Sequence, residues 1–213
     1  METIFYIAFL IPLLPALLAT FLWRYLSTTQ RWFAIMLWVI ILISFSGRAW
    51  TLSTQEANTP FFHVYILAEY IMLLQIFRNM FGHVFRKRLW LILTSSFMII
   101  WIVNVLIGEG WWGYPDYIHA LEAVLILVIV LWWLLKMLKE KIISQPERTF
   151  EFWLCAGLLV FFSGNFLLFV FSNFLLTTDT EVYMAIWKVH SALIISLYLI
   201  YTIALLWVKR TTK

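Results

Sequence analysis

The sequence predicts an all-α integral membrane protein, a bundle of seven helices with its N-terminus outside and its C-terminus in the cytoplasm. Three observations predict it. Of 213 residues, 64% are hydrophobic and 12% charged, and the mean hydropathy is +0.92. A soluble domain carries roughly 25% charged residues, so this chain lacks the charge to cover a water-facing surface. Second, seven apolar stretches are each about as long as a helix needs to cross the bilayer, roughly 20 residues at a ~1.5 Å rise. Third, the loops between them alternate in the sign of their charge.

The expected spans are 4–23, 32–52, 61–81, 89–107, 117–137, 150–176 and 182–208, and they leave no room for an attached soluble domain. Their continuous apolarity, without the alternation of a barrel strand, makes them helices. The first contains Pro12 and Pro15, each of which removes a backbone donor and is expected to bend it. Met1-Glu2-Thr3 before it lacks the positive segment of a cleavable signal peptide. The second span has Arg48 near its outer end. The third enters with His63, Tyr65 and Glu69 and holds Gln75 deeper. The fourth ends near Asn104, and the fifth enters with His119 and Glu122. The sixth holds Cys155, the single cysteine, which can form no intrachain disulfide, and Gly164-Asn165 beyond its midpoint. The seventh enters with Lys188, His190 and Ser191. No internal repeat suggests the two halves of a transporter.

Orientation follows from the positive residues. Arg24, Arg31, Arg78, Arg86, Lys87, Arg88, Lys136, Lys139, Lys141, Arg148, Lys209, Arg210 and Lys213 make 13 of the 15 Lys and Arg, all on one side. The other side has Glu2, Glu56, Glu109, Asp116, Asp179 and Glu181, with only Arg48 and Lys188 nearby. The formal charge of +4 therefore reflects topology, and nucleic acid is not an expected partner. Trp23, Trp32, Trp50, Trp90, Trp111, Trp112, Trp187 and Trp207 fall at expected interfaces, where an indole keeps its N–H wet. Trp38, Trp101 and Trp132 lie deeper and are expected to pack between helices.

Ionisable groups inside a span cost roughly 2.5–3.5 kcal/mol on insertion scales, so they tend to be paired or functional. Here nearly all fall in the outer half, which predicts a hydrated pocket open to the outside. Tyr65 and Glu69 share a helix face at i,i+4, and His119 and Glu122 at i,i+3. His63 lies about 120° around its helix from Glu69. Each has a plainer reading. Arg48 and Lys188 can snorkel to the interface. Glu69 and Glu122 can form structural ion pairs with Arg48 or Lys188. Asn165 can bond between helices where Gly164 lets them approach.

Three functional classes meet these features. A metal-dependent membrane hydrolase would use His63, His119 and His190 as zinc ligands, but no H-E-x-x-H or H-x-x-x-H occurs and the three sit on different helices. A small-solute transporter needs polar residues through both leaflets, and the inner halves are almost wholly apolar. A sensor or signalling-accessory protein needs only an outward pocket and basic cytoplasmic loops where a partner can dock. A retinal pigment is disfavoured because Lys188 lies too near the outer end. No enzyme activity and no cofactor is required by the sequence.

His63-Val64-Tyr65-Ile66-Leu67-Ala68-Glu69, Phe152-Trp153 leading through Gly157 to Phe162-Ser163-Gly164-Asn165, and Trp187-Lys188-Val189-His190 resemble segments of small uncharacterised seven-helix membrane proteins of Bacteroidetes-type bacteria. Lys188 departs from that pattern, where an apolar residue is more usual. The resemblance implies a bacterial inner membrane and association with sensor kinases. It also implies a ligand site of His63, Glu69, Glu122, Asn165 and His190. With Tyr65, this set overlaps the one that depth alone selects.

Overall fold

In a hydrocarbon solvent the backbone must satisfy its own hydrogen bonds, and runs this apolar do so by coiling. The computed structural model describes residues 3–139, 145–175 and 180–208. Glu2, Lys141, Leu176, Asp179, Lys209, Arg210 and Lys213, named above for charge or span ends, lie outside the described residues. Among the described residues there is no strand. The helices are α1 (Thr3–Leu10), α2 (Leu13–Phe21), α3 (Thr28–Thr54), α4 (Thr59–Phe81), α5 (Lys87–Leu106), α6 (Asp116–Lys139), α7 (Phe150–Leu175) and α8 (Thr180–Leu206). Counting α1 and α2 as one, seven helices among the described residues are long and apolar enough to cross a membrane.

The first span does more than bend. Ile11 N–H still donates to Ile7 O at 2.8 Å, but Pro12 has no N–H to continue the ladder, and α2 restarts one residue later. Pro15 falls in the first turn of α2, where its missing donor has no helical acceptor in any case. α3 begins at Thr28, four residues before the expected span, because Ser27 and Gln30 form a reciprocal cap. Gln30 N donates to Ser27 Oγ at 3.4 Å and Ser27 N to Gln30 Oε1 at 2.9 Å. Hydropathy alone does not register such a polar start. α3 ends where Gln55 turns left-handed at φ 62°.

Packed neighbours close a ring in the order α2, α3, α4, α6, α7, α8, with α1 lying on α8. α5 stands outside the ring against α4 and α6. Only 6% of its apolar window is buried, against 50% for α4, so its residues face the lipid on most sides. It is pinned by Phe97 stacked on Tyr70 at 3.9 Å and by Trp101 Nε1, which donates to His63 O at 2.9 Å. Two glycines set helix spacing. A Cβ on Gly164 would come within 2.9 Å of the Leu193 side chain, and one on Gly47 within 3.0 Å of Phe61 Cβ. α7 therefore closes on α8, and α3 on α4.

The two ends of the ring differ. Toward the basic loops its centre is filled: Phe33 of α3 meets Phe150 of α7 and Tyr201 of α8 edge-on at 5.2 and 4.9 Å. Beside it Phe81 packs on Phe85, Trp132 and Trp133. Trp38 departs from the packing role expected of it. It lies at the surface of the bundle, its Nε1 donating to Thr20 Oγ1 at 3.0 Å. Toward the N-terminal end the ring is open.

Candidate ligand site

That open end holds a cavity of about 330 Å³ bounded by α1, α3, α4, α7, α8 and the start of α6. Its walls are chiefly aromatic, from Phe5, Phe9, Phe61, Phe161, Trp187 and Tyr198. Polar atoms come from Arg48, Asn58, Tyr65, His119, His190 and Ser191. Apolar walls with a few converging polar groups are the general form of a small-molecule site.

The expected site residues take three positions. Tyr65 and His190 line the cavity directly. Glu69, Glu122 and Asn165 stand behind its wall, each bonded to or beside a residue that faces it. Tyr65 Oη donates to Glu69 Oε1 at 3.4 Å, one turn along α4. His119 Nε2 lies 3.9 Å from Glu122 Oε2 on α6, an electrostatic approach longer than a hydrogen bond. Asn165 Nδ2 donates to Phe161 O at 2.9 Å, which turns its Oδ1 toward α8. There Oδ1 meets His190 Nδ1 at 2.7 Å. With that acceptor fixed, His190 carries its proton on Nδ1 and keeps Nε2 as an acceptor. The indole of Trp187, 5.1 Å away and perpendicular, holds the ring from one side.

His63 is the member that the fold sets apart. Fully buried, it turns from the cavity toward the loop between α5 and α6, where its Nε2 lies 3.1 Å from Gly113 O. Its ring stacks on Trp111 at 5.6 Å. The angular separation from Glu69 on α4 is the reason, since a helix cannot aim both faces at one point. Among the described residues no three of His, Cys, Asp and Glu come together as a metal site. Of His63, His119 and His190, only His63 stands apart; His119, stacked on Phe169 at 3.6 Å, and His190, bonded to Asn165, both line the cavity.

Glu69 is 3% exposed and Glu122 fully buried, and among the described residues no ion pair joins either one to Arg48 or Lys188. Arg48 itself is half-buried on the cavity wall and has no ion-pair partner among the described residues. The sequence reading also passed over Tyr70, Tyr198 and Tyr201, which surround the carboxyls. A phenol in an apolar run looks like any interfacial aromatic. The available signal was spacing: Tyr201 follows His190 by three helical turns and so shares its face of α8.

Comparisons of this chain with protein-family models, with curated proteins and with solved structures find no match.

Proposed function

We propose that this is a ligand-sensing or signalling-accessory protein of a bacterial inner membrane, with the open end of the ring facing outward and the basic loops facing a cytoplasmic partner. The observation that carries this reading is the 330 Å³ cavity, which opens at one end of the bundle and is closed by aromatic packing at the other. Such a chamber binds without conducting. Its lining suits a largely apolar small molecule bearing an anionic group. The aromatic walls would take its body, Arg48 would pair with the anion, and His190 Nε2 would accept a hydrogen bond from a hydroxyl or amide. No covalent chemistry is assigned to these groups.

Occupancy has a route to the basic end. Contact at His190 acts on α8, and the 2.7 Å bond to Asn165 ties α8 to α7. α8 then reaches the packed aromatic centre through Tyr201. A small shift of one helix against its neighbour is the smallest motion that could report binding to a docked partner.

The test is native mass spectrometry with metal analysis on the detergent-purified protein. A retained or added lipidic acid that binds wild type and is lost in His190→Ala and Arg48→Ala, at similar unfolding temperatures, supports the reading. A chain that neither retains nor binds such a molecule overturns it. One zinc per chain, lost in His119→Ala, would overturn it in favour of a metallohydrolase.

A further inference from the structure

Gln75 is the deep polar residue of the third span that the cavity does not use. Both ends of its amide are engaged toward the basic end of α4. Nε2 donates to Asn79 Oδ1 at 3.3 Å, and Oε1 accepts from Arg78 Nη1 at 3.5 Å. Arg78 Cζ in turn lies 5.5 Å from the ring centre of Trp90, in the first turn of α5. Gln75 and Trp90 thus hold the guanidinium in the corner between α4 and α5.

A guanidinium held in this way ordinarily faces a carboxylate. Arg78 is half-buried, and among the described residues it has no ion pair. The sequence carries no Asp or Glu between Glu69 and Glu109. Two donors on its neighbours, Asn79 Nδ2 and Trp90 Nε1, are buried without an acceptor. Arg86, Lys87 and Arg88, exposed where α5 begins, add three more positive charges to the corner. The plain reading is that topology demands these cations and that Arg78 complements the last carbonyls of α4. That role calls for no glutamine and asparagine chained behind the guanidinium inside an apolar span.

We propose that the α4–α5 corner at the basic end binds the phosphate of an anionic phospholipid, with Arg78 as its main contact. The chemistry selects the ligand. A guanidinium meets a phosphate through two parallel N–H bonds, and a corner rich in donors and poor in acceptors calls for such oxygens. A zwitterionic lipid brings its own ammonium, which the four cations repel, whereas a net negative headgroup does not. Basic pockets between helices at a membrane face recognise anionic headgroups in this way. The flank suits the rest of the molecule. α5 faces lipid on most sides, and Leu91 and Ile92, next after Trp90, are exposed where acyl chains would lie. This site is separate from the cavity and needs only a headgroup layer at the basic end.

Native mass spectrometry of the full chain in detergent, with no cavity ligand added, tests it. Phosphatidylglycerol, cardiolipin and phosphatidylcholine are titrated separately. The two anionic lipids should bind at least about tenfold more tightly than phosphatidylcholine, and Arg78→Ala should weaken them roughly tenfold or more. Arg148→Gln, which removes an exposed charge elsewhere at that end, should keep wild-type affinity. Gln75→Glu tests the positioning, and carries the test if Arg78→Ala fails to fold. It hands Arg78 an internal carboxylate, so the lipid should be lost from a chain that still folds. Wild-type lipid affinity in Gln75→Glu would overturn the proposal. Equal affinity for all three lipids, or equal loss in Arg148→Gln and Arg78→Ala, would mark diffuse attraction and overturn it too. So would loss in His190→Ala, which would place the lipid in the cavity, or displacement by equimolar inorganic phosphate, which would make the free ion the ligand.

Discussion

At the residue scale, His190 and His63 look alike in the sequence and behave differently in the fold. Both are histidines in the outer part of an apolar span, His63 fully buried and His190 half-buried on the cavity wall. His190 lines the cavity with its Nδ1 held by Asn165 Oδ1, while His63 spends its contacts on Gly113 O and Trp111. His63→Ala should therefore destabilise the protein by about 1–3 kcal/mol and leave ligand binding in the cavity intact. Unfolding midpoint and mass-spectrometric occupancy, measured on one sample, check both halves of that statement. Asn165→Ala should do both kinds of damage. It removes the bond to Phe161 O and frees His190 to rotate, costing about 1–3 kcal/mol as well as ligand affinity. Depth in the membrane singles out Tyr65 and His190, which line the cavity, together with Glu69, Glu122 and Asn165, which stand behind its wall. The direction each one points is not given by depth, because azimuth about a helix acquires meaning only once its neighbours are known.

At the element scale, the helices were legible because the membrane imposes their length, and the observed ends fall within a few residues of the expected ones. The departures have local causes. Pro12 turns an expected bend into a break between α1 and α2, and the Ser27–Gln30 cap starts α3 a turn early. Ser27→Ala should lower stability by about 0.5–2 kcal/mol, since the N3 amide of α3 loses its acceptor. Ser27→Asp, which restores an acceptor, should recover most of it. Midpoints of the two variants against wild type decide the matter. If both alanine and aspartate leave the midpoint unchanged, the cap contributes nothing to the folded bundle.

At the scale of the whole molecule, the order of helices around the ring could not be read from hydropathy. Seven apolar spans are compatible with many arrangements, and nothing in the composition of α5 announces that it stands outside. Only its shallow burial does so. Orientation is a separate matter, argued from 13 of 15 basic residues on one side. A fluorescent protein fused after Lys213 should mature and glow in intact cells. A dark but full-length fusion would reverse the bundle and turn the cavity toward the cytoplasm.

The thin wall made by α1 has a practical consequence. Phe5, Ala8, Phe9 and Pro12 form one side of the cavity, and Ala8 is the only buried residue of that helix. Its aromatic link to α3 is Phe9 against Phe45 at 4.6 Å. A compound dissolved among the acyl chains would be separated from the cavity by this single short helix and would need no passage through water. For such a compound the concentration that matters is its mole fraction in the bilayer. Apparent affinities quoted per volume of buffer will then drift with the amount of lipid or detergent in each tube, and titrations at several protein-to-lipid ratios should fall on one curve only when plotted against that fraction.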